Sequence, residues 1–204
     1  MNIHFYKNDL PDNLNLGPVV AVDTEAMGLK PTRDRLCLIQ ISAGDGECHL
    51  VQLSSDHDGH SPNLVALLTD PEVTKIFHFA RFDVAAILNH FSIMTAPIYC
   101  TKIASKLVRT YADRHGLKDI CKELLGIEVN KHEQLSDWGA EELSKEQLQY
   151  AATDVLHLHK LMLVLDGMLE REGRTELAEE CFNFLSTRAY IDLTSGYDYD
   201  IFAH

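Results

Sequence analysis

The sequence predicts an α/β fold built on a mixed central sheet. Two observations carry this. Segments with strand character come first, and strands together with helices follow. The run Val19-Val20-Ala21-Val22, rich in β-branched and small apolar residues, reads as a strand buried on both faces, around which the rest is organised.

Residues 3–6 read as a short edge strand, and 11–17 as a turn-rich connection. Residues 18–24 form the central strand. After the loop Gly28-Leu29-Lys30-Pro31, residues 36–41 return as a second strand. Gly44-Asp45-Gly46 turns tightly into a third at 49–53. These three strands are expected to form an antiparallel meander. The polar loop 54–61 carries His57 and His60, read as bystanders because no further ligands stand at metal spacing. Ser61 followed by Pro62 opens a helix that runs to about 69. A fourth strand is expected over 73–78, helix over 81–90, a short strand before Thr101, and helices over 101–109 and 116–125. Gly126 ends the last of these. The stretch 144–172 reads as one long helix opened by a capping box, Ser144 with Gln147, and broken by Gly173. Helix resumes over 175–185. The aromatic-rich tail 189–204 is expected to be irregular and to dock on the domain or on a neighbouring protomer, because it is too apolar to lie in water.

The 204 residues are read as one domain, 1–204, with no internal repeat or linker. An apolar share of 46% and a charged share of 24% fit a soluble globular protein. No apolar run approaches the roughly 20 residues of a membrane span, and the N-terminus lacks the shape of a signal peptide. Five scattered cysteines without a C-x-x-C pair favour reduced thiols and a cytoplasmic setting. The net charge of −13 would repel a long polyanion. A nucleic-acid substrate would therefore be short, or held by metal and a small basic patch.

Asp23 and Glu25 sit two apart at the end of the central strand, so their side chains share a side. Like charges so close raise each other's pKa unless a cation lies between them, which points to a divalent metal site. The plainer reading is a strand that ends in a polar turn. Asp83, in His78-Phe79-Ala80-Arg81-Phe82-Asp83, falls in the first turn of a helix, where an acid also serves the helix dipole. Tyr150 and Asp154 stand four apart on one helical face.

Taken together and in this order, D-x-E, F-D and Y-x-x-x-D resemble the motifs of the 3′-to-5′ exonucleases of the DEDD superfamily, on the ribonuclease-H-like fold. Tyr150 stands four residues before Asp154, and Gln149 occupies the place where the other branch carries histidine. The chain therefore resembles the tyrosine branch, the RNase D-like enzymes, as do Gln134-Leu135-Ser136-Asp137-Trp138 and the residues around Asp154. Ala140-Glu141-Glu142 replace the R-P pair usual after S-D-W in RNase D. The runs 101–107, 113–118 and 200–204 are most similar to the short stand-alone nanoRNase C group.

The resemblance implies a metal-dependent 3′-to-5′ exoribonuclease acting on very short RNA, including dinucleotides, with two divalent ions, Mg²⁺ or Mn²⁺. It implies that Asp23, Glu25 and Asp154 hold one ion, that Asp23 bridges to the second and that Asp83 supports the site. Tyr150 would orient the attacking water. Substrate contacts are expected from Thr24, from Leu29 as a wedge between bases or else a loop leucine closing the core, and from His78 at the 3′ ribose or packed at a strand end. Lys102, Ser105, Lys106 and Arg109 follow i, i+3, i+4, i+7 spacing, a cationic helical face for a 5′-phosphate or simply a solvated one. Trp138 packs or stacks on a base, and Arg114 and His115 face a neighbouring subunit or none. The family also implies a homo-octamer, and the lack of a long apolar run leaves no membrane partner expected. The rivals are an RNase D-like trimming enzyme for longer RNA, a proofreading-type DNA exonuclease, and a non-catalytic nucleotide-binding protein.

Overall fold

The computed structural model describes residues 2–129, 136–196 and 199–203. Six strands form one sheet: β1 (Asn2–Lys7), β2 (Val19–Ala26), β3 (Leu36–Ser42), β4 (Glu47–Gln52), β5 (Thr74–Phe77) and β6 (Ile98–Cys100), in the order β1-β4-β3-β2-β5-β6. The expected meander is present, because β2–β3 and β3–β4 pair antiparallel. β1 joins β4, β5 joins β2 and β6 joins β5 in parallel, so the sheet is mixed as predicted. Every residue of β3 is buried, and Val20, Ala21 and Val22 of β2 are fully buried, as a strand covered on both faces requires.

Helices α1 (Pro62–Thr69), α2 (Ala80–Phe91) and α3 (Thr101–Val108) fall where the sequence places them. The helix expected over 116–125 is a single turn of α-helix, α4 (Leu117–Ile120), that widens into a π-helical turn at Cys121–Leu125. Gly126 closes it at φ 68°, the left-handed position that favours glycine.

Two expectations are corrected. The stretch 144–172 is two helices, α5 (Lys145–Leu156) and α6 (Leu158–Arg171), which meet at His157. α5 lies across β2, β3 and β4, whereas α6 packs against α3. One straight helix cannot serve both surfaces, and neither glycine nor proline marks the bend. The tail is also not irregular from 189. After α7 (Thr175–Asn183), helix α8 runs over Leu185–Ser195 and packs on α2. Its Asp192 is buried and accepts two hydrogen bonds from Arg81, Nε and Nη2, both at 2.7 Å. Arg188 Nη2 donates to the same carboxylate at 2.8 Å. This ion cluster, with Leu185 and Ala189 on the inner face, overrides a composition poor in strong helix formers. Past α8, Phe202 sits against Phe184 (6.1 Å between ring centroids) and Arg188 donates to the Tyr199 carbonyl, so the described tail lies on α7 and α8.

Candidate active site

β2, the N-terminus of α2 and the last turns of α5 converge on one cleft of about 520 Å³. The period-two alternation of β2 sends Asp23 and Glu25 to one side, and α5 brings Asp154 to meet them. Ligand oxygens of these three lie within 4.8 Å of one another. The bulge between Glu25 and Ala26 ends regular pairing beside these acids, where such irregularities re-aim side chains. α5 is fixed in register by its capping box: Gln147 N–H donates to Ser144 Oγ (3.2 Å), and Ser144 N–H donates to Gln147 Oε1 (2.9 Å). Gln147 Nε2 also donates to the Asp137 carbonyl at 3.1 Å, which ties the Trp138 loop to the helix. Trp138 is buried against Tyr150, 6.0 Å between centroids, and packs there at the back of the cleft.

Asp83 is buried in the first turn of α2 and accepts a 2.6 Å hydrogen bond from the Thr24 hydroxyl. Thr24, expected to touch substrate, thus commits its hydroxyl to an acid of the site. Asp23 is faced across the β2–β3 pair by Gln40, whose Nε2 stands 3.4 Å from Asp23 Oδ2. Gln40 was missed in the sequence. Its signal was a fully buried amide inside the apolar strand Leu36–Ser42.

The electrostatics follow from packing acids together away from water. Burial, then Asp83, Asp154 and Glu25, raise Asp23 well above the usual carboxylate range. Burial and the charges of Asp154 and Asp83 lift Glu25 to about 9. Burial lifts Asp83 to about 7, although the Thr24 hydroxyl bond pulls the other way. Burial and the neighbouring carboxylates raise the Tyr150 phenol far above its ordinary value. An all-oxygen cluster whose charges oppose one another suits a hard divalent cation such as Mg²⁺ or Mn²⁺.

A stability consequence follows. Between about pH 4.5 and 9 the metal-free folded chain holds protons on these acids that the unfolded chain releases. Stability of the metal-free protein therefore falls as pH rises across that window. Its Tm is expected to be several degrees lower at pH 9 than at pH 6, and saturating Mg²⁺ to restore it. Calorimetry in chelator and in Mg²⁺ reads this; parallel curves under both conditions would contradict it.

The remaining predicted residues divide. Leu29 is 80% exposed at the rim of the cleft and does not close the core. Its loop is held by Asp34, whose carboxylate accepts from Lys30 N–H (2.9 Å) and from Arg33 Nε and Nη2 (2.6 and 2.8 Å). A Cβ on Gly28 would stand 2.3 Å from Asp34 Oδ2, so only glycine fits there without a shift. Gly28→Ala is expected to move Leu29 and raise KM for a dinucleotide about tenfold, a loss of about 1.4 kcal/mol, with kcat nearly unchanged. Steady-state kinetics decides, and an unchanged KM would contradict it.

His78 is half-buried on the cleft wall, its Nδ1 2.9 Å from Thr101 Oγ1. Lys102 reaches the cleft, and Lys106 is exposed on the adjoining cavity. The continuous cationic face expected over 102–109 is not formed. Ser105 and Arg109 are buried, and Arg109 is spent on Glu123, on Ser105 Oγ (2.9 Å) and on the Arg114 carbonyl (3.0 Å). His115 Nδ1 stands 2.9 Å from Ser105 Oγ. His57 lies away from the cleft, its ring nitrogens near His90 (2.9 Å) and Ser61 (3.1 Å). Gln134 and Leu135 lie outside the described residues.

A family model described as 3′-5′ exonuclease matches residues 5–170. Ribonuclease D of Gluconacetobacter diazotrophicus is 36% identical over 165 residues, 81% of this chain and 41% of that protein. The chain spans about two fifths of the length of the curated relatives it matches. Among solved structures, Brucella melitensis NrnC bound to pGG superposes with a TM-score of 0.96 at 55% identity, covering 100% of this chain and 99% of that one. Brucella melitensis NrnC with bound Mg²⁺ gives 0.95 at 54% identity, covering 100% of both chains.

Proposed function

This chain belongs to the 3′-5′ exonuclease family, and from that membership we propose that it hydrolyses very short RNA, dinucleotides included, from the 3′ end to nucleoside 5′-monophosphates. The observation that carries the reading is the meeting of Asp23, Glu25 and Asp154 within 4.8 Å, with Asp83 and Tyr150 in the same cleft. Likeness over the whole chain to a protein solved with pGG supports the short substrate.

Asp23, Glu25 and Asp154 would hold a divalent ion, Asp23 would also serve a second, and Asp83 would support the site. Two such ions, Mg²⁺ or Mn²⁺, when bound supply the acidification of the attacking water and the charge stabilisation that phosphodiester cleavage needs. The protein's own groups do the rest. Tyr150, its proton held tightly, orients the water by hydrogen bonding and does not act as the base. Thr24 and Gln40 hold Asp83 and Asp23 in place. His78 meets the 3′-terminal ribose, Leu29 separates two bases, and Lys102 with Lys106 receives a 5′-phosphate. Ser105 and Arg109 have no part in this, since both are consumed in packing. We read it further as a cytoplasmic homo-oligomer, a ring of eight; among the described residues no helix is long and apolar enough to cross a membrane.

The test gives the protein Mn²⁺ and 5′-labelled RNAs of two, seven and about 24 nucleotides, with matching DNA. Faster cleavage of the dimer is expected. Preference for the longest RNA would instead favour a trimming enzyme, and no cleavage would favour a nucleotide-binding protein without catalysis.

A further inference from the structure

Phe79 lies between β5 and α2 with φ 73° and ψ 43°, in the left-handed region. A bulky residue rarely adopts this conformation, because its Cβ crowds the backbone. Such strain persists only where the surroundings over-determine it, and it gathers at functional sites. Both conditions hold. Phe82 N–H donates to the Phe79 carbonyl at 3.1 Å, and Ala80, the first residue of α2, is fully buried, so the turn is pinned on its helical side. Phe79 is 38% exposed and is not part of the hydrophobic core.

The ring stands in the wall shared by the metal cleft and a second cavity of about 620 Å³. The Lys102 ammonium lies 3.9 Å from its centroid, a cation–π contact that stiffens both side chains. An exposed aromatic face beside a lysine, in a chain of net charge −13, is a place for a flat base carrying a phosphate.

We propose that Phe79 is a specificity-determining residue whose ring stacks on a nucleobase of the substrate while Lys102 neutralises that nucleotide's phosphate. The inference rests on the short-RNA reading above. The left-handed backbone aims the ring into the cleft, and the protein bears that strain for the sake of the contact.

Glycine tests this because it relieves the backbone while deleting the ring. Phe79→Gly is expected to keep or raise Tm, to raise KM for a dinucleotide about tenfold or more, and to leave kcat within about threefold. Phe79→Tyr, which restores an aromatic face, should bring KM back to within about threefold of the wild type. A wild-type KM in Phe79→Gly would overturn the stacking role. A fall in Tm with loss of kcat would overturn the claim of functional strain and make the ring structural. If the wild-type protein itself fails to cleave dinucleotides, the short-RNA reading fails, and that result is separate from either of these.

Discussion

Replacing Asp23 by Asn is expected to lower dinucleotide turnover by about four orders of magnitude and at the same time to raise the Tm of the metal-free protein at pH 8. The two effects share one cause. Asp23 is strongly opposed by its surroundings: burial and three neighbouring carboxylates all raise it. Removing its charge leaves Glu25, Asp83 and Asp154 less frustrated, so the metal-free fold gains. The same removal takes away the carboxylate proposed to be shared between two ions. The new amide can still meet Gln40, so the β2–β3 pairing is undisturbed. Kinetics in Mn²⁺ and calorimetry in chelator measure the two sides. A variant that is inactive and also unfolded would place Asp23 in the structure instead of the chemistry.

Tyr150→Phe is expected to lower kcat about a hundredfold and to change KM by less than about threefold. The ring is packed against Trp138, and phenylalanine keeps that contact, so the loop and α5 should hold. Only the hydroxyl is lost. Burial raises the phenol, so it is expected to stay protonated near neutral pH and to contribute no basic limb to the pH–rate profile there. The profile of Tyr150→Phe should therefore have the wild-type shape at a lower height. A change of shape would mean that the phenol exchanges a proton during turnover.

What was legible in the chain was whatever depends on local spacing. Asp23 and Glu25 share a side because strand side chains alternate, and Tyr150 and Asp154 share a face because helices repeat near four. The Ser144–Gln147 capping box closes on itself as read. What was hidden depends on distant partners. Arg109 looked like a free cation until Glu123, fourteen residues on, claimed it. α8 looked irregular because its stabilising partner, Arg81, lies 111 residues earlier. The bend at His157 answers to two different surfaces, not to a breaker residue. Phe79 carried no sequence signal, since its conformation is imposed by its place between β5 and α2.

The proposed hydrolysis depends on cations bound by Asp23, Glu25 and Asp154. The most direct measurement is anomalous X-ray scattering from crystals grown with Mn²⁺ and a non-hydrolysable dinucleotide. The prediction is one manganese peak among the carboxylate oxygens of these three residues and a second sharing Asp23, with the dinucleotide phosphate beside them. Density for the dinucleotide with no peak at these carboxylates would contradict it.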